Sequence, residues 1–232
     1  MTADPISPMP NRAPWGSGLH KTRIMAVLGV GGGFLGGPRP ELSRVTAVTE
    51  TLVENGIRCL ALTAGGADGL PDLERLAARL PAGVELGLGA AMTPDDVIRA
   101  AAAGAGFVRS PQVAPDVVHA ARRCGLASYP GALTPTEIHL AWRTGATAVH
   151  LFPGSVQGPG YLAAVRRALP GIPLIPSGGI GCDDVAEWLA AGAAAVGLGR
   201  SLLGDALLPG GNLRLLGVRT RLVCAAAAGA HS

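Results

Sequence analysis

A chain of 232 residues with 48% hydrophobic and 15% charged side chains suits one large domain with a sizeable core. Its net charge of +3 is small and its basic residues are scattered, which excludes the basic stripe of a nucleic-acid binder, and aromatics at 3% exclude an aromatic-rich binding surface. Cys59, Cys124, Cys182 and Cys224 form no CxxC pair, which speaks against a zinc site or a disulfide framework and fits a reducing cytoplasm.

No basic stretch followed by an apolar run opens the chain, so no signal peptide is expected. The apolar tail at 224–230 follows Arg219 and Arg221 and is too short to span a bilayer. Residues 1–21 carry Pro5, Pro8, Pro10 and Pro14 with little apolar periodicity and read as a flexible arm, disordered or loosely docked, ahead of one domain over 22–230. The run 23–29 has strand length. After it, Gly31, Gly33 and Gly36 satisfy G-x-G-x-x-G, a spacing that can hold a dinucleotide. Pro38 and Pro40 interrupt the helix such a site needs, and the next strand ends without an acidic residue for a ribose. A loop at the mouth of the domain is therefore the expected role of 29–37, and no cofactor is expected.

From Pro40 helices and strands alternate. Helix 40–55 leads to strand 57–63, helix 70–80 to strand 84–89, helix 94–103 to strand 107–110 and helix 115–124 to strand 126–130. Helix 135–144 then precedes strand 147–151, helix 159–168 strand 172–176 and helix 183–191 strand 194–198, before a last helix at 212–228. Thr93 before Pro94, Asp95 and Asp96 marks a helix start, as does Thr134 before Pro135, Thr136 and Glu137. The second has the spacing of a capping box, which competes with any chemical role for Glu137. A unit recurs at 103–108, 144–149 and 191–196: a helix ends on glycine and a short apolar strand follows. Strands apolar on both faces imply a sheet covered by helices. Eight of them, counting 23–29, predict an α/β fold closed as a (β/α)8 TIM barrel, with its site at the C-terminal strand ends.

Those ends hold the candidates. Ser177, Gly178 and Gly179 close strand seven, and Gly199, Arg200 and Ser201 follow strand eight. Glycines let backbone N–H groups approach an oxyanion, and Arg200 adds a planar cationic fork, so Gly178, Gly179, Gly199, Arg200 and Ser201 form a candidate phosphate or anion site. The same glycines also suit tight turns. His150 is the only histidine inside an expected strand; it either performs acid/base chemistry or is a buried, hydrogen-bonded histidine. Thr63, Ser110, Phe152, Ser155 and Ser177 are candidate substrate contacts. Arg109 either reaches an acidic substrate or points outward. Cys59 reads as a core thiol. His150 has no carboxylate or histidine partners at the strand ends, so no metal is expected.

Several stretches fall in the order and spacing of one family: 56–60 (GIRCL), Ser110-Pro111, 130–138 (PGALTPTEI), Leu151-Phe152-Pro153, 158–161 (GPGY) and 177–180 (SGGI). Over about residues 22 to 205 the chain resembles the 2-keto-3-deoxy-6-phosphogluconate (KDPG) aldolases, class I aldolases on a (β/α)8 barrel. The resemblance implies a lyase, an acidic or phosphorylated small-molecule substrate and a homotrimer. It also marks departures. The family's Schiff-base lysine in Lys-x-Phe-Pro corresponds to His150, and its general acid/base glutamate to Ala61. Its substrate-binding arginine corresponds to Gly65, its strand-one arginine to Gly29, its strand-three threonine to Ala90 and its phosphate-loop serine to Arg200.

Imine formation needs a primary amine, and Lys21, before the first strand, is the only lysine. The expectation is therefore a divergent lyase or isomerase acting on a small carbonyl or carboxylate compound through His150, without a Schiff base. Ala61, Gly65 and Ala90 enlarge and dry the pocket, and the Ala-, Gly- and Arg-rich composition points by association to specialised metabolism. The alternative is a non-catalytic barrel that binds a metabolite as a sensor or accessory subunit. A cytoplasmic protein with neither nucleic-acid nor membrane partners is expected in either case.

Overall fold

The computed structural model describes residues 14–30, 39–63 and 69–230. Gly31, Gly33, Gly36 and Gly65, and residues 1–13 of the expected arm, lie outside the described residues. The strands are β1 (Ile24–Gly29), β2 (Cys59–Thr63), β3 (Glu85–Leu88), β4 (Phe107–Ser110), β5 (Ala127–Ala132), β6 (Val149–Leu151), β7 (Leu174–Pro176) and β8 (Val196–Leu198). All pair in parallel, in the order β7-β6-β5-β4-β3-β2-β1-β8. The seam between β7 and β8 is closed by a parallel bridge from Ser177 to Gly197 and by the Ala194 N–H donating to the Leu174 carbonyl at 2.9 Å. Gly197 makes this closure possible, because a Cβ there would lie 2.5 Å from that of Ser177. The fold is the expected (β/α)8 barrel.

Side-chain alternation divides the apolar residues into two groups. Ile24, Ala26, Leu28, Leu60, Leu62, Val149, Leu174 and Val196 face outward and pack under the helices. Met25, Val27, Cys59, Ala61, Phe107, Ala127, Tyr129, Ala148 and Ile175 fill the barrel interior. Cys59 is fully buried there, the core thiol expected.

The covering helices are α2 (Leu42–Glu54), α3 (Leu70–Ala77), α4 (Pro94–Ala102), α5 (Pro115–Arg123), α6 (Pro135–Thr144), α7 (Gly158–Ala168), α8 (Val185–Ala190) and α10 (Leu213–Gly229), with the short α9 (Arg200–Leu203) after β8. In the recurring unit Gly104, Gly145 and Gly192 have φ of 86°, 108° and 97°, a conformation that a Cβ disfavours and that turns each helix into the next strand. Several strands begin one or two residues later than their apolar runs, and β5 reaches Ala132 where the pattern stops at 130. Among the described residues no helix is long and apolar enough to cross a membrane.

The expected arm needs one correction. Residues Ser17–Thr22 form a helix, α1, that belongs to the barrel. Leu19 is fully buried among the interior side chains, and Trp15 lies against Tyr129 with ring centroids 6.3 Å apart. The Gly18 N–H donates to Glu85 Oε1 at 2.9 Å, and Arg23 donates to the Ala193 carbonyl at 2.7 Å. Glu85 opens β3, so α1 plugs the N-terminal end of the barrel. A six-residue helix burying one leucine has too few turns for its periodicity to show in sequence.

Candidate active site

Strand parity builds the site. On β4, Phe107 and Arg109 share the inward face, and His150 on β6 and Ser177 just past β7 point to the same axis. Arg109, His150 and Ser177 are 4%, 3% and 3% exposed. Arg109 Nη2 lies 2.6 Å from His150 Nε2, 3.2 Å from its Nδ1 and 3.0 Å from Ser177 Oγ, and Ser177 Oγ lies 2.5 Å from Nε2. A guanidinium only donates. Nε2 is therefore an acceptor, and the imidazole proton is assigned to Nδ1. The Phe152 ring packs against the imidazole, centroids 5.2 Å apart.

Burial holds the His150 pKa well below its ordinary value; the Arg109 charge adds to this, and a hydrogen bond with the Ser110 backbone works against it. Burial also brings Arg109 down to about 10, which leaves it charged at neutral pH. The pair is a neutral base beside a buried cation.

Above them opens a cavity of about 630 Å³. It is lined by Arg109, His150 and Ser177, by Val27, Thr63, Ala90, Phe152 and Ile180, and by the anion-site candidates Gly178, Gly179, Gly199, Arg200 and Ser201. Gly178 and Gly179 have φ of 90° and 76°, and a Cβ on Gly178 would meet the Phe152 ring at 2.7 Å. Ser201 Oγ donates to the Ile180 carbonyl at 2.7 Å, tying the loop after β8 to the loop after β7. The fold thus brings together nine of the expected site residues: His150, Thr63, Phe152 and Ser177 with the five anion-site candidates.

Two candidates stand apart from that lining. Ser110 Oγ donates to the Gln112 carbonyl at 2.7 Å and closes the turn after β4. Ser155 is exposed and lies behind Gly179, where an added Cβ would be 2.3 Å from its Oγ. Glu137 is occupied by its capping box: its Oε2 accepts from the Thr134 N–H at 2.8 Å and the Leu133 N–H at 3.0 Å, while Thr134 Oγ1 accepts from the Glu137 N–H at 3.3 Å. Those hydrogen bonds, Thr134 first, hold its carboxyl below the usual range.

Of the positions marked by resemblance, Ala61 is buried inside the barrel, Gly29 ends β1 and Ala90 lines the cavity. Lys21 is exposed on α1 at the opposite end. Sequence reasoning left the direction of Arg109 open and did not link it to His150 and Ser177. The signal was there in part: Phe107 and Arg109 are two residues apart and share a face.

A family model described as "Aldolase: KDPG and KHG aldolase" matches residues 19–216. Over 170 residues the chain is 34% identical to a probable 2-dehydro-3-deoxy-6-phosphogalactonate aldolase of Rhizobium meliloti, covering 73% of this chain and 79% of that protein. Over 147 residues it is 31% identical to a 2-dehydro-3-deoxy-phosphogluconate aldolase of Pseudomonas aeruginosa, covering 63% and 66%. Among solved structures it superposes on a native KDPGal structure with a TM-score of 0.78 at 22% identity, over 90% of this chain and 95% of the other. A KDPG aldolase from Legionella pneumophila, with pyruvate captured at low pH as a covalent carbinolamine intermediate, matches with a TM-score of 0.75 at 23% identity, over 90% and 96%. These last two likenesses concern the fold.

Proposed function

Because this chain belongs to the KDPG and KHG aldolase family, we propose that it is an aldolase-like lyase that works through His150 by acid/base chemistry, without a Schiff base. The observation that carries this reading is His150 itself: a buried imidazole facing the cavity, with an acceptor Nε2, while the only lysine sits on α1 at the far end. The substrate class that fits is a small hydroxylated carbonyl acid, with any phosphate at the Gly178, Gly179, Gly199, Arg200 and Ser201 rim.

The step balances without an amine. Nε2 takes the proton of a hydroxyl placed β to the carbonyl, and the carbon–carbon bond between them breaks to release an aldehyde and an enolate. The imidazolium then returns that proton to the enolate carbon. A base held neutral at ordinary pH suits the first half of this cycle. Val27, Ala61 and Ala90 supply apolar walls around it.

The test is turnover of 4-hydroxy-2-oxo acids, phosphorylated and not. Wild type should cleave at least one without acquiring a borohydride-stable adduct with pyruvate, and His150→Ala should lower kcat by about 10²-fold or more with binding retained. A borohydride-trapped adduct would overturn the reading. The second reading, a metabolite-binding barrel without turnover, draws on Ala61, which leaves no carboxylate at that interior position. Binding without cleavage of any such acid, unchanged in His150→Ala, would replace the first reading with it.

A further inference from the structure

Arg109 is the charge in this cavity that the acid/base step does not use. The guanidinium has five N–H donors, two of them on Nη2. Its hydrogen bonds to His150 and Ser177 all leave from Nη2; among the described residues Nε and Nη1 have no acceptor. Nor does any carboxylate among the described residues pair with it, the ion pairs there being Arg39 with Asp72 and Arg99 with Asp95. A cation 4% exposed, with neutral partners and an unfilled donor edge, is costly to bury unless an anion completes it. Arg109 lines the cavity, so that anion can arrive from solvent. The two sequence positions that correspond by resemblance to the family's arginines are Gly29 and Gly65, and the positive charge lies on β4 instead.

We infer that Arg109 anchors the substrate's carboxylate at the bottom of the cavity, which then takes a 2-oxo acid with its acid end down and its far end toward the rim. This deepens the reading of the same site as an acid/base lyase and rests on it for the reaction, not for the binding. A guanidinium edge and a carboxylate are planar and match in two parallel hydrogen bonds, a geometry that a tetrahedral phosphate or a lysine ammonium reproduces less well. Because Nη2 is 2.6 Å from Nε2, an acid held on Arg109 brings its oxo and neighbouring carbons beside the base. The same cation then faces the enolate oxygen as its charge develops. Arg109 is a binding and positioning residue here, and His150 moves the proton.

The experiment is calorimetric titration of the whole protein with pyruvate and, separately, with inorganic phosphate, together with 15N detection of the Arg109 Nε–H. Arg109→Met should weaken pyruvate about tenfold or more, and Arg109→Lys less; in both, phosphate should bind as in wild type. Arg200→Ala should weaken phosphate and spare pyruvate. In wild type, pyruvate but not phosphate should move the Nε–H resonance, identified by its loss in the charge-conserving Arg109→Lys; this stands even if Arg109→Met folds poorly. Undiminished pyruvate binding by Arg109→Met would overturn the inference, as would an unmoved Nε–H or wild type that binds no pyruvate. Pyruvate binding on Arg109 in a protein that cleaves nothing would defeat the lyase reading and leave this one standing.

Discussion

His150 gains its character from what surrounds it rather than from its place in the chain. The interior strips its water and the Arg109 charge faces it, so the folded state disfavours the imidazolium. An unfolded histidine titrates near about 6.5. Between the lower folded value and that one the unfolded chain binds more protons, so stability must rise with pH through that window. The contribution is complete above about pH 6.5 and is lost as pH falls toward the folded value. Unfolding free energies from urea titrations, measured downward from neutral pH, should therefore fall more steeply for wild type than for His150→Gln, by up to about 1.4 kcal/mol per pH unit. Equal slopes would mean that the imidazole is not held neutral. The histidine was legible in the sequence as the residue to watch, because a lone polar side chain in an apolar strand stands out. Its partners were not. Arg109 and Ser177 are 41 and 27 residues from it, and only the closed barrel brings them within hydrogen-bond reach.

Local chemistry was readable wherever the interaction is itself local. Thr134 and Glu137 are three residues apart, and the capping box between them forms as that spacing predicts. Thr134→Ala should cost about 1 kcal/mol in chemical denaturation and leave ligand binding in the cavity unchanged, since the cap lies outside it. The α4 start shows the same device with Thr93 and Asp96. Strand limits were read less well. The apolar runs before β6, β7 and β8 start two residues early: Thr147 and Ile172 are buried below the sheet, and Thr147 and Ala194 each give a single backbone hydrogen bond to the neighbouring strand ahead of the regular ladder. Apolar character reports burial, and burial extends past the last hydrogen-bonded pair.

At the scale of the molecule the barrel needs a closed seam and a closed floor. The seam depends on Gly197, and the floor on α1 with Leu19 at its centre. Leu19→Ala should leave a cavity beneath Met25, Cys59 and Tyr129 and lower stability by about 2–5 kcal/mol, read from urea midpoints. A loss under about 0.5 kcal/mol would show α1 to be part of the loose arm that the prolines ahead of it suggested. The sequence by itself determined the alternation of helices and strands, their number, the glycine that ends each recurring unit and the likeness to an aldolase family. The first three follow from periodicity and spacing along the chain, and the last from stretches of sequence that resemble that family's. Which way Arg109 points, what His150 touches, that Ser110 and Ser155 leave the cavity to others and that α1 closes the barrel were decided by tertiary structure. They depend on strand register and on contacts between residues far apart in the chain, and a linear pattern carries neither.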